Sequence, residues 1–345
     1  MLILPPPELG PVVIGSIKGS TGEAGLSEIQ HAMVSTVARN LFSQDDIDDV
    51  AVCSPDKAAA AISDPQIARQ VVQGMIALAM LEPRRDTNGD LFLGADQRIS
   101  DAQVERIVSY ADAFGVDVPQ IKTFQAIADE DTKRMYFDFF WRSNLRQLAI
   151  SDIKDQGLRN FVKGMASMRG HGTDNKVADK FRRLEDLPDG TWGKQLVNMY
   201  HEWGWDYPGE EHGAPEVTST HDWVHVISGY PPTAVGELQV NTFMHTCSPN
   251  PNSFGLMMLA LGLYGVGGIT LPTGSFTSQG GELAREDIGE LFVEAAMRSR
   301  GAGVDLLEGV DHWGQAHIPV EELRHQYNIA PKTHDIGEPD PGVVA

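Results

Sequence analysis

The sequence reads Thr218-Ser-Thr-His221-Asp222-Trp-Val-His225-Val-Ile-Ser-Gly229-Tyr-Pro-Pro-Thr233-Ala-Val-Gly-Glu237 at the point that decides its fold. The hydroxyl residues before His221 can cap a helix, and Gly229 with the two prolines after it ends that helix. Thr233 can cap a second helix that runs to about His245. This stretch therefore predicts two helices joined by a tight turn.

The two predicted helices bring two histidines and a carboxylate to the same depth. His221 and His225 are four residues apart, so they project from one face of a helix. His225 lies four residues before Gly229, and Glu237 lies four residues after Thr233. In an antiparallel hairpin, Glu237 then faces both imidazoles across the helix pair.

Two imidazoles and a carboxylate form a common ligand set for zinc, iron or another divalent transition ion. We therefore predict a metal site at His221, His225 and Glu237. Asp222 adjoins it as a fourth ligand, a proton acceptor or a group that orients a ligand. Asn241 and His245 continue the Glu237 face and could line the same cavity; carboxylates not committed to the metal, Asp222 or Glu237, would transfer protons.

Three other metal-site classes fit these residues less well. Zinc proteases need Glu where Asp222 stands. Ferritin-like di-iron proteins need two Glu-x-x-His pairs, and the chain has one, Glu322-x-x-His325. A His-Asp phosphohydrolase needs a further His and a distant Asp, for which His201 or His212 and Asp305 are available; it remains the rival enzyme class.

The remainder of the chain also predicts helices. Apolar residues recur at helical spacing over 28–41, 65–81, 101–114, 118–128 and 132–148, whereas alternating strand patterns are absent. The aromatic residues of the last segment are predicted to be core: Tyr136, Phe137, Phe139, Phe140 and Trp141. We expect an all-α protein with a helical domain over 1–168, a second domain over 175–332 that carries the metal hairpin, and a tail over 333–345.

Composition excludes several classes of function. The chain has 345 residues and a formal net charge of −21, which disfavours nucleic acid as a partner and a basic patch as a membrane anchor. Two cysteines cannot form a disulfide framework, and the N-terminus lacks a signal-peptide pattern, so we expect a cytoplasmic protein, with peripheral contact to a membrane left open. The apolar segment 254–269 is short for a membrane span; it could wall a lipid groove or form a packed core helix. Homo-oligomerisation is left open as well.

The spacing His221-Asp222-x-x-His225-x11-Glu237 resembles the motif of the coenzyme Q (ubiquinone) biosynthesis family typified by the fourth Coq protein. The resemblance extends over residues 175–332 and includes further segments: Leu187-Pro-Asp-Gly-Thr-Trp-Gly193, Gly236-Glu-Leu-x-Val240-x-x-Phe243, Arg298-x-x-Gly-Ala-Gly303 and Arg324-x-x-x-Asn328-Ile329. Residues 66–117 are similar, over a short motif only, to TerB-like helical domains.

The resemblance to the coenzyme Q family implies an all-helical fold with His221, Asp222, His225 and Glu237 as metal ligands, zinc being the ion usually named. It also implies an isoprenoid or quinone-like lipid in an apolar groove, oxidative decarboxylation at C1 of a prenylated aromatic ring, and contacts with other enzymes of the quinone pathway. The alternative is a non-catalytic lipid-binding scaffold in which the metal only joins two helices.

Overall fold

A computed structural model describes residues 1–81, 100–129, 132–142, 146, 149–150, 153–154, 157–168, 170–250, 252–265, 281–334 and 341–342. The described residues form an all-α protein, and their one β-type pairing is an isolated bridge between Thr191 and Pro319. The predicted fold class is confirmed.

Eight helices whose bounds lie within the described residues precede residue 170: α1 Gly10–Thr21, α2 Glu28–Phe42, α3 Pro55–Ala61, α4 Pro65–Met80, α5 Asp101–Phe114, α6 Ile121–Ala128, α7 Thr132–Arg142 and α8 Leu158–Met168. Seven follow it: α9 Asn175–Arg182, α10 Trp192–Glu202, α11 Ser219–Ser228, α12 Ala234–Cys247, α13 Phe254–Ala260, α14 Ile288–Ala302 and α15 Val320–Gln326. A π-helical turn, Leu261–Gly265, continues α13.

Local sequence signals set several of these helix ends. The Ser27 hydroxyl accepts a hydrogen bond from the Gln30 amide, and the Gln30 side chain accepts one from the Ser27 amide, which makes a complete capping box at α2. Ser100 caps α5, and Gly115 ends it in the left-handed conformation. The predicted helix over 65–81 is present as α4, which Asp64 caps.

The prediction of an aromatic core in α7 is wrong for Phe137 and Trp141, which are 62% and 46% exposed. Met135 and Asp138, three residues apart, form the buried side of α7. Because a helix turns by 100° per residue, Phe137 and Trp141 lie on another side. The side chains of Tyr136, Phe139 and Phe140, and most of residues 143–148, lie outside the described part.

The buried apolar side chains form two clusters. The first lies among α1, α2, α4, α5 and α6, and it also takes Leu238 from α12 and Leu291 from α14. The second lies among α9, α10, α11 and α15, and it takes Phe243 from α12 and Ala295 from α14. Helices α12 and α14 therefore contribute to both cores, and the predicted domain limits at 168 and 175 stay a prediction.

Among the described residues, no helix combines the length and the apolar character that crossing a membrane requires.

Candidate metal centre

Helix α11 carries the two histidines, and its beginning differs from the prediction. Thr218 and Ser219 do not cap it with their side chains. Their hydroxyls donate instead to the carbonyls of Pro215 and Glu216, both at 2.7 Å, in the 3-10 turn Glu216–Thr218. At the other end the prediction is confirmed: Gly229 is left-handed with φ 77°, and its amide donates to the His225 carbonyl.

The turn after Gly229 places Glu237 at the start of α12. The Thr233 hydroxyl accepts from the Gly236 amide at 3.2 Å, as predicted for a cap. A Cβ atom on Gly236 would lie 1.8 Å from the Pro231 carbonyl oxygen, so only glycine allows the turn to pack this closely on the helix.

The hairpin brings His221, His225 and Glu237 together. Glu237 Oε2 lies 3.2 Å from His221 Nε2, and Glu237 Oε1 lies 3.2 Å from His225 Nε2. The two imidazole rings meet nearly edge to face, with centroids 4.5 Å apart. One ligand atom from each side chain lies within 4.8 Å of the other two, so the group could hold a metal ion.

His225 presents a free lone pair to this group. Its Nδ1 contacts the Tyr230 carbonyl oxygen at 2.7 Å, and since a carbonyl can only accept, Nδ1 must carry the hydrogen. The Nε2 atom is completely buried and makes no hydrogen bond to any described residue. This buried nitrogen lies 3.2 Å from a carboxylate oxygen without a hydrogen bond, so the two atoms are placed to share a cation, which a metal ion or a proton can supply.

His221 is oriented from its other side. Its Nδ1 lies 3.3 Å from Asp222 Oδ1, and Asp222 Oδ2 accepts a 2.5 Å hydrogen bond from the Tyr200 hydroxyl. Burial and the charge of Asp222 raise the pKa of Tyr200 well above its usual value, so the phenol stays a donor. In this arrangement Asp222 orients a ligand and lies outside the three-residue group.

Without a metal, His221 and Glu237 carry opposite charges. Burial opposes a charge on His221, but Glu237 and Asp222 outweigh it and raise the pKa of the imidazole to about 10. Burial alone would raise the pKa of the Glu237 carboxyl, yet the electrostatic influence of the two imidazoles holds it well below its usual range. The metal-free site is therefore an ion pair at neutral pH.

Basic side chains from distant segments of the chain hold the end of α11. Arg324 donates to the carbonyls of Val226 and Ile227 at 3.1 and 2.9 Å. Arg298, which is buried, donates to the Ser228 carbonyl at 2.9 Å, and Lys332 donates to the Gly229 carbonyl at 2.7 Å. The last carbonyls of a helix lack partners within it and carry partial negative charge, so these three cations fix the helix end next to His225.

Of the other predicted site residues, Asn241 contacts the metal group, whereas His245, His201 and Asp305 contact other side chains. Asn241 belongs to its surroundings, because its side-chain amide donates to the Glu237 carbonyl and lies 3.3 Å from Glu237 Oε2. His245 contacts Ser253 instead, at 2.8 Å. His201 contacts Tyr207, and Asp305 accepts from Ser248, so neither belongs to the metal group.

The sequence analysis missed two tyrosines near the group. Tyr200 is separated from Asp222 by 22 positions and an intervening loop, and no spacing rule pairs them. Tyr264 lies in the π-helical turn, a distortion that is frequent at functional sites. Burial, together with the charges of Glu237 and Glu282, raises the pKa of Tyr264.

Neither a protein-family model nor a curated protein matches the sequence. The metal centre therefore rests on the geometry of its own residues.

We expect His225→Ala and Glu237→Gln to lose the metal, because each removes one of three ligands. Purified wild-type protein should contain about one divalent ion per chain, and either variant less than about a tenth of that, by elemental analysis. His245→Ala is the control, because His245 lies on α12 with Glu237 but outside the metal group. This variant should keep the metal. Equal metal content in all four proteins would show that the group is not a metal site.

We expect metal binding to release about one proton near neutral pH. The pKa of His221 is about 10 in the metal-free protein, so its imidazole is protonated and must lose that proton to bind a metal. Apparent affinity should therefore rise with pH until the imidazole titrates. Calorimetry in two buffers of different ionisation enthalpy measures the release; a buffer-independent heat would contradict the ion pair.

Proposed function

We propose that this protein is a metal-dependent enzyme that acts on a prenylated aromatic or quinone precursor. The observation that carries the proposal is the Glu237 carboxylate placed 3.2 Å from each of two imidazoles, one of which offers a buried lone pair without a hydrogen bond. Zinc is the ion we propose, because two imidazoles and a carboxylate suit it; iron or another transition ion is the alternative.

The exposure of the ligands favours catalysis over a closed structural site. The His225 side chain is fully buried, whereas that of His221 is 24% exposed and that of Glu237 is 13% exposed. The group is therefore most open to solvent at His221 and Glu237, where we propose that a substrate approaches. Three protein ligands leave a position for it, as in catalytic rather than structural zinc sites.

The chain's own residues would hold the geometry and move protons. Tyr200 and Asp222 fix the ring of His221, and the Tyr230 carbonyl fixes that of His225. A bound divalent ion would supply a Lewis acid for a carboxylate or phenolate oxygen of the substrate. Asp222 is the group we propose for proton transfer, since it contacts the site without occupying it; Glu237 would share this role only if one of its oxygens is released from the metal.

The resemblance to the coenzyme Q biosynthesis family adds a specific reaction to this proposal. In oxidative decarboxylation at C1, the ring loses its carboxylate as carbon dioxide and gains a hydroxyl, and an oxidant such as dioxygen accepts the electrons. An isoprenoid or quinone-like lipid, and other enzymes of the same pathway, would then be the partners.

Two alternatives have different support. A lipid-binding scaffold with a structural metal would use the same hairpin, in which a metal would join α11 to α12. The phosphohydrolase alternative has less support, because none of His201, His212 and Asp305 belongs to the three-residue metal group. The scaffold is therefore the alternative that an experiment must separate from the enzyme.

We further propose a cytoplasmic location with peripheral contact to a membrane. Both cysteines are free. Five of the eight large hydrophobic side chains described as exposed lie within residues 137–162: Phe137, Trp141, Ile150, Leu158 and Val162. The segment 132–168 carries seven Lys and Arg against three Asp, a net charge of +4 in a chain of −21, although Asp129, Glu130 and Asp131 directly precede it. Exposed aromatic residues beside basic ones suit the surface of an anionic bilayer.

We expect turnover of a prenylated aromatic carboxylic acid by the metal-loaded protein under air, detected by mass spectrometry as loss of the carboxylate and gain of a hydroxyl. Asp222→Asn should lower kcat at least about tenfold while metal content stays near wild type, because it removes a proton-transfer group and keeps the ligands. Glu237→Gln should abolish turnover together with metal.

Two outcomes would decide against the enzyme. If quinone-like lipid co-purifies with the protein but no substrate turns over, the scaffold is supported. If neither lipid nor turnover is found while metal is present, the proposed substrate class is wrong. Only the metal centre is then supported.

We expect the protein to sediment with vesicles that contain anionic phospholipid and not with vesicles of phosphatidylcholine alone. Phe137→Ser combined with Trp141→Ser should lower the bound fraction at least about tenfold, since each buried aromatic side chain contributes about 1.5–3 kcal/mol. Met297→Ser, at an exposed apolar residue on α14, is the control. Unchanged binding of the double variant would exclude this surface.

A further inference from the structure

Two buried tyrosines of the second apolar cluster each donate a hydrogen bond to a carboxylate. The Tyr200 hydroxyl donates to Asp222 Oδ2 at 2.5 Å, and the Tyr207 hydroxyl donates to Glu185 Oε1 at 2.8 Å. Tyr200 is 2% exposed and Tyr207 is 5% exposed. A buried phenol needs a partner, but a carbonyl or an amide oxygen would serve as well. What a carboxylate adds is the ability to take the proton of the phenol.

The rings of the two tyrosines pack against each other. Their centroids lie 5.8 Å apart, and their planes are inclined by 38°. Phe181 stacks on both, with its centroid 6.1 Å from that of Tyr200 and 6.3 Å from that of Tyr207. Electrons tunnel rapidly between aromatic rings this close, because only a short gap separates their π orbitals. The pair is therefore suited to pass one electron from ring to ring.

The pair connects the metal group to the protein surface. At the inner end, Asp222 Oδ1 lies 3.3 Å from His221 Nδ1. At the outer end, the Tyr207 hydroxyl also lies 2.6 Å from His201 Nε2. The side chains of His201 and Glu185 are 60% and 42% exposed. The hydroxyl of Tyr207 is therefore bonded to two groups that reach solvent.

Both phenols are protonated at rest. Burial and the hydrogen bond to Glu185 raise the pKa of Tyr207, and burial and Asp222 raise that of Tyr200. Loss of one electron makes a phenol a far stronger acid, so the proton leaves together with the electron where an acceptor is in place. In both tyrosines the acceptor is already hydrogen-bonded.

We propose that Tyr200 and Tyr207 form a redox relay that carries one-electron oxidising equivalents from the metal group to the protein surface. The oxidant is a partially reduced oxygen species, such as the hydroxyl radical, released beside the group. This source of oxidant rests on the proposed oxidative function, whereas the relay itself does not. Without an exit, such an oxidant would attack the imidazoles of His221 and His225, so the relay protects the metal ligands.

The steps of the relay balance in electrons and protons. A hydroxyl radical takes one electron from Tyr200 and becomes hydroxide, while the phenol proton passes to Asp222. Tyr207 then gives one electron to the Tyr200 radical. Asp222 returns its proton to Tyr200, and the Tyr207 proton passes to Glu185. A soluble reductant such as ascorbate reduces the Tyr207 radical, Glu185 returns its proton, and the hydroxide takes up the proton that ascorbate releases.

Photo-oxidation of the full-length protein, followed by electron paramagnetic resonance of the frozen sample, tests the relay. Illuminated tris(bipyridine)ruthenium with persulfate oxidises exposed side chains from solvent. Wild-type protein should give a tyrosyl signal that narrows when the tyrosine rings are deuterated. The Tyr200 component is the part that Tyr200→Phe lacks. Tyr207→Phe should lose this component too, because an electron can then no longer pass from Tyr200 to the surface.

Two further variants separate the relay from packing. Glu185→Gln keeps the ring of Tyr207 and the size of its partner, but an amide cannot take the proton, so the Tyr200 component should be lost. Tyr327→Phe is the control, because the Tyr327 hydroxyl donates to an amide oxygen, Gln315 Oε1, at 2.6 Å. It should leave the Tyr200 component unchanged.

This experiment needs neither metal nor substrate, so its result does not depend on the metal centre or on the proposed reaction. Absence of a Tyr200 component from wild-type protein would overturn the relay. Persistence of that component in Tyr207→Phe or in Glu185→Gln would overturn it as well, since the electron would then leave Tyr200 by another route or without the proposed proton acceptor.

Discussion

The metal group depends on how the C-terminal end of α11 is held. Four successive carbonyls, from Val226 to Gly229, accept hydrogen bonds from Arg298, Arg324 and Lys332. The end of a helix presents unpaired carbonyls and a negative dipole, and burying them without donors would cost several hydrogen bonds. Because the donors lie at least 70 positions further along the chain, the helix end is fixed by the folded C-terminal region as a whole.

That anchoring accounts for the asymmetry of the site. His225 lies one turn from the anchored end, is fully buried, and has its tautomer set by the Tyr230 carbonyl. His221 lies one turn further from that end, is partly exposed, and is oriented by Asp222 and Tyr200. His225 is therefore held in place and shielded from solvent, whereas His221 faces the accessible side. A site that holds an ion and also admits a second molecule needs this arrangement.

The sequence predicted what depends on neighbouring residues. The i,i+4 pair, the left-handed Gly229, the Thr233 cap and the depth of Glu237 all follow from spacing within 17 positions, 221–237, and all are confirmed. Contacts between distant segments could not be predicted: Tyr200 with Asp222, or Arg298 with Ser228. The same limit explains the error at Phe137 and Trp141, since apolar periodicity identifies a helix and cannot show which of its sides another helix covers.

Net charge describes the whole chain and does not describe any one part of its surface. A total of −21 argues against a basic membrane anchor only if charge is spread evenly, but in physiological salt a charge acts over about 8 Å. Phe137 and Trp141 are exposed on α7, which also carries the exposed Lys133, and Val162 is exposed on α8 beside Lys163. For the membrane contact we propose, the relevant quantity is therefore the charge close to the exposed apolar side chains rather than the sum over 345 residues.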